Sequence, residues 1–239
     1  MRDALHRTGR PIVFSICEWG DNKPWEWAGD IGHLWRTTGD ITNCWSCRIG
    51  HGSWESLGVL EIADKQAGLR RHAGPGHWND PDMMEVGNLP ELAQNRSHFA
   101  MWAMLAAPLI AGTDVTGMSP QIAAVLTNPG IIAINQDKLG LQGFTWFKSA
   151  ELDVWVRPLS GDRWAIAIVN RSAAARAHTI DWRRESLGDD LNQRFARIGE
   201  RHYRLIDAWS GKATGDTAQP LTVRLAPFDN AVFVLEPRL

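Results

Sequence analysis

Short apolar runs alternate with segments of helical spacing in the first part of the chain. An apolar run of strand length covers residues 12–17, and a shorter β-prone piece covers residues 34–38. The first run predicts a strand that is buried on both faces, as in a parallel sheet. Helical spacing follows in segments at residues 53–69, 92–106, 120–126 and 130–135. Strands and helices in this order indicate a parallel α/β architecture.

The pattern changes near residue 141. From there, short β-prone runs are separated by turn residues, at residues 144–147, 153–157, 164–170, 177–182, 203–209, 221–225 and 231–235. This series predicts an antiparallel β-sandwich. We therefore divide the chain into residues 1–140 and residues 141–239, and we interpret the charged stretch at 182–198 as an insertion loop.

The first region holds only about four strand-helix units. A closed (β/α)₈ barrel needs eight units and about 250 residues. Half of such a barrel would leave two sheet edges and an open core. The number of units is therefore too small for a closed barrel.

Composition narrows the range of functions. The 239 residues include 13 tryptophans, and the formal charge is −2. This charge gives no reason to expect a nucleic-acid or anionic-membrane surface, and no apolar stretch is long enough to span a membrane. The three cysteines, Cys17, Cys44 and Cys47, do not make a disulfide scaffold. For Cys44 and Cys47, a local disulfide or buried thiols are favoured over a metal or redox site.

Candidate chemistry lies where the predicted strands of the first region end. Glu18 and Trp19 follow the first strand, Arg36 and Asp40 belong to the second, and Asp80 and Asp82 lie on the third. Ligands bind at the carboxyl ends of the strands in parallel α/β folds. Because Asp80 and Asp82 are two residues apart, we expect both to face the same side of an extended strand.

Carboxylates beside large aromatic faces are typical of a sugar site. One carboxyl group protonates the glycosidic oxygen, and another meets the oxocarbenium-like carbon. Indole packs well against the nonpolar face of a sugar ring. The tryptophans expected near the strand ends are Trp19, Trp25, Trp27, Trp35 and Trp78. Solvated loop carboxylates with structural tryptophans fit the pattern about as well, whereas a metal site at His77, Asp80 and Asp82 has poor spacing.

Four longer motifs occur in order along the chain. They are SICEWG at residues 15–20, WRTTGDI at 35–41, GPGHWNDPDM at 74–83 and IAINQD at 132–137. Together they closely resemble the family 27 glycoside hydrolases, the α-galactosidases and α-N-acetylgalactosaminidases. The resemblance covers residues 1–145 well, and the later region is similar to that family's C-terminal domain in pattern. It implies a retaining glycosidase on a (β/α)₈ barrel that needs no cofactor or metal.

The resemblance also implies roles for individual residues. Asp40 matches the acid/base, and Arg36 matches the arginine that holds sugar hydroxyls. Asp82 and Met83 match a galactose-contacting pair, while Glu18 and Trp19 match positions that line the pocket. A glutamate at position 18 favours an α-galactosidase, because the N-acetylgalactosaminidases carry a small residue there to admit the acetamide.

One departure from the family bears on activity. The family's nucleophile lies in a Lys-Tyr-Asp-Asn-Cys-like motif on the fourth barrel strand, and that motif occurs nowhere in this sequence. The expectation is therefore the C-terminal half of a (β/α)₈ barrel followed by the sandwich, inactive alone because an acid cannot form the covalent intermediate by itself. A misplaced start or truncation, or a complementary N-terminal half-barrel chain, would explain the missing half.

Two other functions stay open at this point. One is a non-catalytic carbohydrate-binding protein that keeps Trp19, Arg36 and Asp82 as a sugar surface. The other is an α-N-acetylgalactosaminidase. In every case the expected partner is a sugar, an α-galactoside in the leading interpretation.

Overall fold

The computed structural model describes residues 1–238. In the first region the helices are α1 (Arg2–His6), α2 (Val59–Lys65), α3 (Leu92–Met104), α4 (Pro120–Leu126) and α5 (Pro129–Asn135), and the strands are β1 (Ser15–Ile16), β2 (Leu34–Arg36), β3 (Arg48–Gly50), β4 (Glu55–Leu57) and β5 (Trp78–Asp80). Short 3₁₀ turns lie at Pro24–Glu26, Ala28–Asp30 and Leu69–His72. Among these residues, no helix is both long enough and apolar enough to cross a membrane.

A parallel sheet organises the first region. Its strand order is β1-β2-β5, and the register pairs Arg36 with Asp80. The two strands β2 and β5 therefore end side by side. A further parallel bridge joins Met84 to Ala111 beyond the end of β5.

The prediction that residues 12–17 form a strand buried on both faces is wrong for the described residues. Only Ser15–Ile16 joins the ladder, and Val13 is 72% exposed. The reason is that β1 pairs with β2 alone. It is an edge strand, so an apolar run of the kind that central strands carry lies partly open to solvent.

The prediction of one helix over residues 53–69 is wrong at its start. β4 pairs with β3 as a hairpin, and α2 begins only at Val59. Leu57 keeps β4 extended, because its N–H donates to the Asp40 carbonyl at 2.9 Å. Cys44 and Cys47 form a disulfide next to this hairpin, which is one of the two states that the sequence favours.

The second region is built from antiparallel strands. They are β6 (Phe144–Lys148), β7 (Leu152–Leu159), β8 (Arg163–Asn170), β9 (Arg176–Ile180), β10 (Gly188–Asp189), β11 (Arg194–Phe195), β12 (Tyr203–Asp207), β13 (Ala213–Asp216), β14 (Leu221–Leu225) and β15 (Asn230–Pro237). Six of them form one sheet in the order β13-β12-β15-β8-β7-β6, and β14 pairs with β9. The antiparallel sandwich predicted for this region is thus confirmed.

The central strands of the large sheet are buried on both faces. Along β7, Val154 and Val156 belong to a core shared with residues of β9 and β14. Trp155 points to the other side and belongs to the core around α3. Alternate side chains therefore enter two cores, which explains why these strands are apolar at nearly every position.

Buried polar contacts join the two regions. Arg157 on β7 is fully buried, and it donates to the carbonyls of Ala103 at 2.6 Å and Asn135 at 3.2 Å. On the opposite side of the joint, Arg171 pairs with Asp64 of α2 at 2.9 Å and with Asp153 of β7 at 2.5 Å. The sandwich therefore holds α2, α3 and α5 of the first region in place.

The stretch at 182–198 is more ordered than an insertion loop. It contains the short pair β10-β11, and Trp182 and Leu187 are buried in the sandwich core. Asp189 is fully buried and pairs with Arg70 of the first region at 2.8 Å. Because charged residues outnumber the few buried apolar residues in this stretch, its sequence pattern resembles that of a loop.

Candidate active site

The sheet brings the ends of β2 and β5 together. Both strands run in the same direction, so their carboxyl ends share one edge of the sheet. Arg36 is the last residue of β2, and Asp80 is the last residue of β5. The residues that follow, up to Asp40 and Asp82, form the loops at this edge. This is the edge at which parallel α/β folds bind ligands.

Arg36 is the centre of the cluster. Its Nη2 lies 2.6 Å from Asp82 Oδ2 and 3.1 Å from Asp40 Oδ1, and it also donates to the Thr38 carbonyl at 3.2 Å. The side chain is only 10% exposed. One buried guanidinium nitrogen therefore links two carboxylates that come from different strand ends, with the charge assistance that shortens such bonds.

Hydrogen bonds fix both the carboxylate and the carbonyl of Asp82. Its Oδ2 also accepts the Ile41 N–H at 2.8 Å, and its Oδ1 accepts the Met83 N–H at 2.7 Å. The indole of Trp102 donates to the Asp82 carbonyl at 2.8 Å. Both carboxylate oxygens and the main chain are fixed, so Asp82 is a rigid acceptor.

Asp80 and Asp82 do not lie on one extended strand as expected. The strand ends at Asp80, and Asp82 has a φ of 86°, which is in the left-handed region. The turn lets Asp80 Oδ1 accept the Asp82 N–H at 2.9 Å. A non-glycine residue in this conformation is strained and occurs most often at functional sites.

Burial perturbs both of these carboxyl groups. Desolvation raises the pKa of Asp80 to about 6, although the Asp82 N–H and Arg36 oppose the rise. Burial also raises the pKa of Asp82, against the stabilising effect of the Ile41 N–H and Arg36. Perturbed carboxyl groups that cluster in one place are typical of functional sites.

Asp40 differs from Asp82 in its access to solvent. Its side chain is 42% exposed, compared with 12% for Asp82. The arrangement therefore offers one carboxyl group that can reach a ligand and exchange a proton. It offers a second that is fixed as an acceptor, and a guanidinium between them.

The other predicted site residues lie around this cluster. Glu18 follows β1, where its Oε1 accepts the Asn22 N–H at 2.9 Å. Trp19 has a φ of 63° and lies 5.3 Å from Trp54, ring centre to ring centre. Met83 is 38% exposed. The structure thus places Asp40, Asp82 and Arg36 in direct contact. Met83 joins them through its main-chain N–H, whereas the hydrogen bonds of the described residues do not link Glu18 or Trp19 to this cluster.

Three buried polar atoms at these strand ends have no hydrogen-bond partner among residues 1–238. They are Glu18 Oε2, Arg36 Nε and Thr38 Oγ1. Buried polar atoms are nearly always paired in folded proteins, so each such atom needs a specific explanation. Because all three residues end or follow strands of the parallel sheet, this edge has unused hydrogen-bonding capacity.

The tryptophans do not all gather at this edge. Trp19 and Trp25 line a cavity here, and Trp27 is 43% exposed on the same loop. Trp35 is fully buried, and its indole donates to Asn79 at 2.9 Å. Trp78 opens β5 and lines a different cavity at the amino ends of the strands. For Trp35 and Trp78, the prediction of a place near the sugar is wrong. Trp35 lies in the middle of β2 and Trp78 at the start of β5, so neither residue is at the carboxyl end of its strand.

One further aromatic residue at this edge, Trp54, is not among those expected from the sequence. Trp54 precedes β4, lines the same cavity as Trp19 and is 38% exposed. The sequence signal that could have found it is a glycine, Gly52, two residues before a tryptophan in a polar stretch. In the structure Gly52 has a φ of 84°, as its place in a turn requires. An aromatic residue at a hairpin turn in a polar stretch is not explained by a core.

No metal centre is formed by the described residues, because none of their histidine, cysteine, aspartate and glutamate side chains gather in a group of three with ligand geometry. His77 instead stacks on Trp35, with 6.2 Å between ring centres. Asp82 pairs with Arg36 and accepts the Ile41 N–H, and Asp80 accepts the Asp82 N–H.

Family models match both regions of the chain. Residues 1–137 match the model described as alpha galactosidase A, and residues 149–235 match the alpha galactosidase C-terminal beta sandwich domain. Together they cover most of the sequence in the order that the fold shows.

Named relatives agree with these models. The alpha-galactosidase A of Cellvibrio japonicus is 48% identical over 238 residues, which cover 100% of this chain and 59% of the relative. The alpha-galactosidase of Oryza sativa subsp. japonica is 39% identical, over 99% of this chain and 52% of the relative. The chain thus spans about half the length of the curated relatives that it matches.

A solved structure shows the same architecture. The alpha-galactosidase I of Mortierella vinacea superposes with a TM-score of 0.84 and 26% identity, over 98% of this chain and 61% of that chain. The described residues correspond to the second half of a (β/α)₈ barrel followed by an antiparallel β-sandwich.

Proposed function

The chain belongs to the α-galactosidases of glycoside hydrolase family 27, and on that premise we propose that it supplies the acid/base and the galactose-binding side of an α-galactosidase site. The observation that carries the proposal is the single Arg36 nitrogen that holds both Asp40 and Asp82. A sugar needs fixed acceptors and donors for its hydroxyls and one mobile proton for the glycosidic oxygen. This cluster contains both.

Asp40 is the acid/base in this proposal. In the first step its carboxyl proton passes to the glycosidic oxygen, while the bond between that oxygen and C1 of galactose breaks and a nucleophile bonds to C1. In the second step Asp40 takes a proton from water, the water oxygen bonds to C1, and the nucleophile leaves. Its 42% exposure supports this role, because the group must meet both the substrate and water.

The binding roles fall to the less exposed residues. Asp82 accepts from galactose hydroxyls, and Arg36 donates to them while it orients Asp40. Met83, Glu18 and Trp19 form the walls. The glutamate at position 18 supports galactose over N-acetylgalactosamine in this proposal, because the family's N-acetylgalactosaminidases carry a small residue there.

In this proposal, the nucleophile comes from a segment outside this sequence. Asp82, the carboxylate that shares Arg36 with Asp40, has both oxygens bonded to fixed donors, and Asp80 Oδ1 accepts the Asp82 N–H. Carboxylates held in this way are poor nucleophiles. A complementary N-terminal half-barrel would provide the attacking aspartate. Alone, the chain binds galactosides without turnover, since retaining hydrolysis requires both carboxyl groups.

Two measurements on the purified chain test this function. With p-nitrophenyl α-galactoside we expect no release of nitrophenol above the blank, and with methyl α-galactoside we expect binding by isothermal titration calorimetry. Turnover that Asp40→Asn abolishes would overturn the assignment of the nucleophile to another segment. Absence of binding would overturn the galactose site itself.

A further inference from the structure

A cavity in the second region, the arginine cavity, is lined by four arginine side chains. It encloses about 560 Å³, which lies within the range of about 300–1,000 Å³ that is usual for small-molecule sites. The arginines come from the start of β8, from β11 and from the turn before β12, and they are Arg163, Arg194, Arg197 and Arg201. None of Arg36, Asp40 and Asp82 lines the cavity, so it is separate from the candidate active site.

Two of the four arginines are fixed by carboxylates. Arg163 pairs with Asp137 at 3.1 Å. Arg201 bonds to Asp162, whose Oδ2 also accepts the Tyr203 O–H at 3.1 Å. The side chains of Arg163 and Arg201 nevertheless remain 38% and 35% exposed. These contacts therefore hold two guanidinium groups in place without covering them.

The other two arginines are neutralised weakly or not at all. Arg197 lies 3.8 Å from Glu200, and both side chains are largely exposed, so solvent screens this pair. Arg194 is half-buried and forms no ion pair with any of residues 1–238. The four arginines share the wall with only two carboxylates, those of Asp162 and Glu200. The cavity therefore carries a net positive charge.

An aromatic ring lies next to Arg194. Phe195 is 53% exposed, and its partner across the β10-β11 pair is Gly188. A Cβ atom at position 188 would lie 2.6 Å from the Phe195 ring, so the glycine leaves room for the ring. The next residue, Asp189, is anchored to Arg70 at 2.8 Å. The ring is therefore held at the cavity by a fixed strand pair, with about half of the residue open to solvent.

We propose that the arginine cavity binds an acidic saccharide that carries one carboxylate on each ring, that is, a uronic acid. A guanidinium binds a planar carboxylate through two parallel hydrogen bonds, and an exposed aromatic ring suits the nonpolar face of a sugar. Asp162 and Glu200 in the wall would repel the clustered charges of a polyphosphate, so the cavity suits single, separated charges. The site does not involve Asp40 or Arg36 and is independent of the proposed function.

Isothermal titration calorimetry of the full chain with digalacturonate tests the site. The dimethyl ester of digalacturonate has the same rings without charge and is the matched ligand. At low ionic strength we expect the acid to bind at least about tenfold more tightly than the ester. The affinity for the acid should fall as sodium chloride is added, because salt screens exposed charges. Saturating methyl α-galactoside is present in both titrations to occupy the candidate galactose site.

Three variants locate the binding. Arg194→Ala should lower the affinity for digalacturonate by about tenfold, because it removes the guanidinium that has no carboxylate of its own. Arg194→Lys keeps the charge without the two parallel donors and should bind with intermediate affinity. Arg183→Ala is the matched control, since its side chain is 76% exposed and lies outside the cavity, and it should bind as wild type. Circular dichroism confirms that each variant is folded.

Each of three other results would overturn the inference. The first is equal affinity of the wild-type chain for the acid and the ester, or no binding of either. The second is an equal loss of affinity in Arg194→Ala and Arg183→Ala, which would indicate a general effect of charge. The third is tighter binding of adenosine diphosphate than of digalacturonate, which would indicate a nucleotide site. Methyl α-galactoside, titrated alone, should give the same result with wild type and Arg194→Ala, so failure of the galactose site and failure of this site are distinguishable.

Discussion

The two regions of this chain place their apolar residues in opposite ways. In the second region, β7 is eight residues long and buried at every position. In the first region, β1 is two residues long and Val13 beside it is 72% exposed. Yet the candidate chemistry lies in the first region. The contrast shows that the small parallel sheet positions the candidate site. The six-stranded antiparallel sheet supports it through Arg157, Arg171 and the core around α3.

The largest expected effect lies at the joint between the regions. In Arg157→Ala the carbonyls of Ala103 and Asn135 lose their buried donor, which should lower the free energy of unfolding by about 3–5 kcal/mol. Urea denaturation measures this loss. Because one core includes α3 and β8, near- and far-ultraviolet signals should change together.

Arg184→Ala is the matched control for the joint. Its side chain is 85% exposed, so we expect a change within about 0.5 kcal/mol. Separate transitions for the two regions in the wild-type chain would contradict a shared core.

The same kind of truncation in each region sharpens the contrast. Ile166→Ala in β8 removes a fully buried side chain and should cost about 2–5 kcal/mol. Val13→Ala next to the edge strand should change the free energy of unfolding by less than about 0.5 kcal/mol. A loss at Val13 comparable to that at Ile166 would show that the edge strand is covered in solution.

Acid stability tests the burial of Asp80. Burial raises the pKa of Asp80 to about 6 in the folded chain, above its ordinary value of 3.8, so the folded state binds the proton more tightly than the unfolded state. The wild-type chain therefore loses stability as the pH rises through this window. Asp80→Asn keeps the acceptor for Asp82 N–H without the charge, so its stability relative to wild type should rise by about 2–3 kcal/mol between about pH 4 and pH 7.

Thermal or urea unfolding at the two pH values measures this difference. Asp190→Asn, at an exposed position, controls for the general effect of removing a carboxylate. A constant difference between Asp80→Asn and wild type across the pH range would rule out the raised pKa.

A smaller effect is expected at Glu18. Replacement by alanine removes the carboxylate that would exclude an acetamide, so the ratio of galactose to N-acetylgalactosamine affinity should fall by about tenfold, or about 1.4 kcal/mol. Calorimetric titration with the two free sugars gives the ratio. An unchanged ratio would remove Glu18 from the specificity of the site.

The sequence predicts some of these features and misses others for physical reasons. The motifs place Arg36, Asp40 and Asp82 at strand ends, and the structure brings these three side chains into contact. The edge position of β1 cannot be read from its apolar run, because the run does not show which neighbours pair with it. The turn at Asp82 is hidden for a similar reason, since left-handed backbone at a non-glycine residue has no composition signal.

The long stretches between elements are the least predictable. The spacing of Leu57 and Leu60 fits a helix, but hydrogen bonds between Leu57 and the Asp40–Thr42 segment hold β4 extended. In the same way, Trp182 anchors a charged stretch that looks like a loop. Tertiary contacts over long sequence distances override the local pattern in both cases.

The most direct test of the central claim is the affinity of the chain for methyl α-galactoside in wild type and in Asp82→Asn. The substitution preserves the size of a rigid acceptor but removes the charge that pairs with Arg36, so we expect binding by the wild-type chain and an affinity at least about tenfold lower in the variant. Asp190→Asn should bind as wild type. Equal affinities for wild type and Asp82→Asn would contradict the claim that the Arg36 cluster is the galactose site.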